Sequence, residues 1–460
     1  DRYSPLLISC QNGQSNIVNT LLERNADVNL CEENGYSPLH MACKNGYSNI
    51  ALILLCRDAD VKVIGKDGYS PLHLACQHGQ DKVVQILIDK NSNVNLLGLD
   101  GYTPLHIACL NGHENVVAIL LQNGADVDVP GKDGCTPLYL CCKNGHDRVL
   151  TRLLRKNAKF DNHSVDGYTA LHVACERGHA RIIRILLQHN ARVTSVTKKG
   201  STPLHKACQY GHQDAVRILL STKADIDSHT YQGSSPLHKA CKNGYKTIVQ
   251  ILLKKGANVN ILTKLRYSPL HAACLRGYEA IVKLLLDKGA DVNIQEKDNG
   301  YTPIHIACKN GHISVVKLLL KKDTNINSEA KRSERPLHLA CEHKHDDIAQ
   351  LLIENGANVN LQDEEGHSPL HIACKNGREK IVISLLRRNA VVNAISKREF
   401  SPLLYACYNG YGDIANRLLN SEANLSSLLE FGFIPTVTEC RKGEKMFIDI
   451  TLEKKVQKVL

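Results

Sequence analysis

Gly101-Tyr102-Thr103-Pro104-Leu105-His106-Ile107-Ala108-Cys109 is the stretch that decides the fold. Thr103 is a residue type whose hydroxyl caps a helix N-terminus, and Pro104 has the preset φ and the missing N–H that suit a first helical position. A short helix therefore starts at Pro104. Asn111-Gly112 ends it, because glycine takes the left-handed conformation that closes a helix C-terminus. Val116, Val117, Leu120 and Leu121 follow at helical spacing and define a second helix that stops at Gly124. Lys132-Asp133-Gly134 then supplies a turn into the next unit.

The same unit recurs along the chain. Pro5, Pro38, Pro71, Pro104 and Pro137, then Pro203, Pro236 and Pro269, then Pro303, Pro336, Pro369, Pro402 and Pro435 form a comb with a spacing of 33 residues. Ala170 stands in once, and one extra residue near Asn299 makes a single interval of 34. Thirteen of the fourteen prolines lie on the comb, Pro130 being the exception, which removes chance as an explanation. Two helices of about ten residues cannot bury their apolar stripes alone, so each unit is stabilised by stacking on its neighbours. Ala42, Ala75, Ala108, Ala174 and their counterparts to Ala406 let the short helices approach closely.

Thr/Ser-Pro-Leu-His-x-Ala, the period, and endings such as Gly289-Ala290-Asp291-Val292-Asn293 resemble the ankyrin repeat over nearly the whole chain. The resemblance implies an all-α solenoid of about fourteen repeats: hairpin-like fingers on one side, short inner helices lining a concave groove, and longer outer helices behind. It also implies that finger asparagines such as Asn95, Asn260, Asn293 and Asn360 are hydroxylation targets. Thirteen repeats are expected over residues 1–430. Residues 431–460 read as a degenerate fourteenth repeat, a C-terminal cap that keeps Gly432, Pro435, Cys440 and Gly443 but loses the histidine and alanine. The first residues already belong to a repeat and the chain opens on Asp1, so the reading expects a longer protein. Arg332-Ser333-Glu334-Arg335 and Lys344 in the eleventh repeat, and Leu265-Arg266 in the ninth, replace the usual turn residues and leave the eleventh finger open.

Fourteen of the eighteen cysteines occupy one slot, from Cys10 to Cys440. Stacked helices lie about 8 to 10 Å apart, beyond the roughly 7 Å that a disulfide spans. These cysteines are expected as small buried hydrophobes, and so many free thiols fit a reducing intracellular compartment, cytoplasmic or nuclear. The longest apolar run, Ile50 to Cys56, falls far short of a membrane span.

Ten histidines recur two residues after the proline slot, among them His40, His106, His205 and His371. Metal ligands must lie about 2 Å from one ion, whereas residues in successive repeats stand about 10 Å apart. Each is instead expected to bond the capping hydroxyl and loop backbone, as the resemblance implies. Cys135, Cys141, Cys142 and His146 form the densest cluster, without zinc-site spacing. The chain shows no phosphate-binding loop, nucleophile elbow or His-Glu-x-x-His motif, so an enzyme is not expected and no cofactor is called for.

What varies is the surface. The residue after the histidine and those three and four further on are expected as one exposed stripe flooring the groove: Ile107, Leu110 and Asn111, then Lys206, Gln209 and Tyr210, then Lys239, Lys242 and Asn243. Residues 1–150 hold 11 Lys+Arg against 16 Asp+Glu, and residues 151–300 hold 24 against 11, so the net charge of +11 is concentrated centrally. Such a patch is expected either to attract acidic protein segments, phosphorylated peptides, anionic lipid or nucleic acid, or to be a solvated surface, as for Arg181 and Arg184. Tyr3, Tyr36, Tyr69, Tyr102, Tyr168, Tyr267 and Tyr301 form a second row, read either as contact residues or, in preference, as packing between fingers. The partner-binding candidates are Tyr168, Arg177, Lys206, Tyr210, Lys239, Lys242, Arg266, Tyr267 and Arg276. The leading expectation is a non-catalytic protein-interaction scaffold. The alternative is the sensing or substrate-recruiting segment of a larger signalling protein, an NTPase, kinase, ubiquitin ligase or channel. Nucleic-acid binding rests on charge alone and is disfavoured, because the tyrosines cluster in the acidic part.

Overall fold

A computed structural model describes residues 3–425 and the backbone of 433–442 and 445–454. Among the described residues there are 26 helices in thirteen pairs, followed by two strands. The chain divides into two compact units, Asp1–Tyr231 with seven helix pairs and Gln232–Leu460 with six pairs and the strands.

One repeat shows why the sequence folds this way. Thr103 is extended and its side chain accepts the His106 N–H, Pro104 opens the helix Pro104–Asn111, and Gly112 closes it at φ 78°. A Cβ on Gly112 would stand 2.4 Å from Nδ1 of His146 in the next repeat, so both backbone conformation and close approach demand glycine. The second helix, Glu114–Gln122, buries Val116, Val117, Leu120 and Leu121. Fingers bond to each other through their backbones: Leu99 N–H donates to Asp67 O at 3.0 Å and Lys132 N–H to Asp100 O at 3.0 Å in the first unit, as Lys297 N–H does to Leu265 O at 2.8 Å in the second. The cysteine slot lies in the core, with Cys43, Cys109, Cys241 and Cys374 all 0% exposed.

The irregular repeats keep the frame. Arg266, Ser333 and Lys344 take left-handed φ values of 57°, 54° and 64° where glycine usually stands. The eleventh finger is therefore formed. Arg335, in place of the capping Ser/Thr, donates its backbone N–H to Nδ1 of His338 at 3.2 Å, and its guanidinium reaches Gln362 O at 3.0 Å and Glu329 at 2.9 Å.

The fourteenth repeat is not a helix pair. Phe433–Lys442 and Lys445–Lys454 form an antiparallel two-stranded ribbon that pairs Cys440 with Phe447, and its second strand lies against the last helix, Gly412–Leu419. Thr436-Val437-Thr438 and Phe447-Ile448-Asp449-Ile450-Thr451 explain the change, since β-branched and aromatic residues in alternation favour strands once the helix-forming alanine is gone.

Candidate partner-binding surface

The histidine row is structural. In His106, Nδ1 accepts the backbone N–H of Thr103 at 3.0 Å, and Nε2 faces the Cys135 carbonyl of the next finger at 3.2 Å. A carbonyl can only accept, so Nε2 carries the proton. Both ring nitrogens are used. The same pattern holds at His40, His73, His271 and His371. Burial holds His40, His106, His172, His271, His305 and His371 down at about 4, so they are neutral pins at pH 7. Cys141 donates to Leu138 O and His146 Nε2 meets Leu110 O, and among the described residues no group of three or more potential ligands could hold a metal ion.

The tyrosine row packs between fingers. Tyr69 stacks on His73 and donates to Asp100 in the next finger at 2.6 Å, and Tyr102 stacks on His106 and donates to Asp133 at 2.7 Å. Burial, followed by these hydrogen bonds to carboxylates, pushes the tyrosine hydroxyls well above their ordinary range. Tyr267 is half-buried against His271 at 5.1 Å and donates its hydroxyl to His271 O within its own repeat.

The stripe expected to floor a groove is covered at its first position. Ile107 is 3% exposed, Ala272 3% and Lys206 7%. Lys206 lies over the Tyr168 ring at 4.3 Å, touches the Tyr168 hydroxyl, and sits 3.7 Å from Glu176. It is an inter-repeat contact and not a cation open to a partner. Lys239, at the equivalent position, is half-buried. Tyr168 is tied up with Lys206. The candidates that do face solvent are Arg177 and Tyr210 in the first unit and Lys242, Arg266 and Arg276 in the second, with Arg266 also donating to Gln295 O at 3.4 Å.

One feature of the second unit was missed from sequence. A concavity of about 580 Å³ over repeats eleven and twelve is lined by Glu334, Glu342, Asp363, Glu364 and Glu365 together with Arg332 and Lys375. Its signal was the run Asp363-Glu364-Glu365 in one finger, opposite in sign to the patch that drew attention. Among the described residues no helix is long and apolar enough to cross a membrane.

The family model for ankyrin repeats (3 copies) matches overlapping segments that run from 1–65 and 58–131 to 270–363 and 337–427. No curated protein matches the chain. Repeats of this kind are generally protein–protein interaction modules and typically non-catalytic.

Proposed function

Because the chain belongs to the ankyrin-repeat family, we propose that it is a non-catalytic scaffold whose protein partners dock on the exposed ends of the first helices and on the fingers. One observation carries this reading. The slots that hold the stack are filled alike and buried, whereas the slot two residues before the left-handed helix-closing position changes through exposed Lys44, Gln77, Lys242, Leu275, Glu342 and Tyr408. A stack needs no such variation to stand, and a recognition surface does. Exposed Arg177, Lys242, Arg266 and Arg276 favour acidic protein segments. Free, buried thiols through the stack favour an intracellular setting, cytoplasmic or nuclear.

The test is affinity capture with the wild type and with Arg177→Glu/Lys242→Glu/Arg276→Glu, all exposed sites that leave the core intact. The variant is expected to lose a defined subset of partners. An unchanged set at unchanged affinity sinks the placement.

A further inference from the structure

Asp147–Arg155, Ala180–Gln188 and Gln213–Leu220 are the second helices of repeats five to seven, packed in sequence within the first unit. Their cations are all arginine: Arg148, Arg152, Arg155, Arg181, Arg184 and Arg217. The equivalent helices of repeats eight to ten carry only lysine, at Lys246, Lys254, Lys283 and Lys317. Solubility needs only charge, which lysine supplies equally. What arginine adds is a planar fork that grips a phosphate through two parallel hydrogen bonds.

The arrangement places these forks on neighbouring helices. Arg184 and Arg217 hold the same place in adjacent repeats, so their helices pass about 10 Å apart, and Arg181 lies one turn from Arg184 on the same helix. Arg152 is held by Glu114 at 2.8 Å, Arg181 by Asp147 at 2.7 Å and Arg217 by Asp214 at 3.3 Å. Arg155 and Arg184 are exposed and make no ion pair among the described residues. Arg217–Asp214 is exposed on both sides, and such pairs are weak and readily given up to a doubly charged phosphate.

We infer that this arginine face binds a phosphorylated segment of a partner protein, with Arg184 at its centre and Arg155, Arg181 and Arg217 around it. It is separate from the first-helix ends and fingers proposed above and does not depend on them. None of the large apolar side chains of the three helices is exposed, so the face offers a membrane nothing to insert. Asp147 and Asp214 interrupt the row, which would set a duplex carrying one charge per roughly 1.7 Å against carboxylates. A short segment with one or two phosphates fits between them.

The probe is a fluorescent Gly/Ser peptide bearing two phosphoserines, with its unphosphorylated twin, titrated by anisotropy against the full chain at near-physiological salt. The phosphorylated peptide is expected to bind and the twin not. Arg155→Gln/Arg184→Gln weakens binding by roughly tenfold or more, and Arg184→Lys by several-fold, because the charge stays while the fork is lost. Circular dichroism confirms that these exposed substitutions leave the helices intact. Arg177→Glu/Lys242→Glu/Arg276→Glu leaves the phosphopeptide affinity within about twofold, since it lies off this face. Undiminished binding by the glutamine double variant, or full affinity in Arg184→Lys, overturns the proposal. So does tighter binding of phosphatidylserine vesicles or duplex DNA than of the phosphopeptide, lost in the same double variant.

Discussion

Acidification should unfold this protein at a pH where most globular domains are comfortable. His40, His106, His172, His271, His305 and His371 are neutral in the fold, each held at about 4 mainly by burial, and are at most 1% exposed. In the unfolded chain a histidine titrates at about 6.5. The folded state therefore binds fewer protons, and stability is lost as pH falls from about 6.5 toward 4. A gap of about 2.5 units corresponds to roughly 3 kcal/mol per histidine at the acid end, and about 2 kcal/mol is already gone at pH 5. Six such residues give roughly 10 kcal/mol by pH 5, comparable with the whole stability of a typical domain at about 5–15 kcal/mol. Burial raises the carboxyls of Asp133, Glu296 and Asp363, but hydrogen bonds, all from backbone N–H groups at Glu296, hold them low, so they add to the loss only below the ordinary carboxylate range. Urea unfolding followed by helical circular dichroism at steps from pH 7.5 to 4.5 reads the effect. Stability should fall steeply between about pH 6.5 and 5. In His106→Leu, which mimics Leu404 in the same slot of the thirteenth repeat, the slope should be shallower. Stability that stays level from pH 7 to 5 refutes the assignment of these imidazoles as buried neutral pins.

Three further outcomes follow from the same geometry. Gly112→Ala forces a left-handed alanine against the His146 ring and should cost about 1–3 kcal/mol in chemical denaturation, whereas Arg266→Gly, at φ 57°, should be neutral to stabilising by up to about 1 kcal/mol. Lys206→Met should lower the melting temperature, because it leaves Glu176 partly buried without its cation; normal stability with lost partner binding would restore Lys206 as a contact residue. Under native conditions a thiol reagent should label exposed Cys56 first and the buried slot only on unfolding, since burial pushes Cys10 and Cys341 up to about 12; rapid labelling of Cys109 or Cys374 would contradict the packing.

The repeat was legible because its information is local and redundant. Thr103, Pro104 and Gly112 state where one helix begins and ends, and each further copy repeats the statement. The cysteine slot and the histidine pins were legible for the same reason, as one position seen many times. Lys206 was misread because helical geometry alone places it on a face, while what covers that face, Tyr168 and Glu176, comes from the repeat before it. Pro435 and Cys440 keep the end of the array on the comb, while Thr436-Val437-Thr438 carry the strand chemistry that distinguishes it from the repeats before it. The acidic concavity over repeats eleven and twelve was hidden because Glu342 and Asp363 are 21 residues apart and meet only through stacking.

Crosslink mapping of a complex captured through an unphosphorylated acidic partner tests the central claim most directly. A lysine-reactive crosslinker should join the partner to Lys143, Lys199 and Lys242, at first-helix ends and finger turns, and labelling should fall in the Arg177→Glu/Lys242→Glu/Arg276→Glu protein. Crosslinks confined to second-helix lysines such as Lys246 and Lys283, with none at helix ends or fingers, would contradict it.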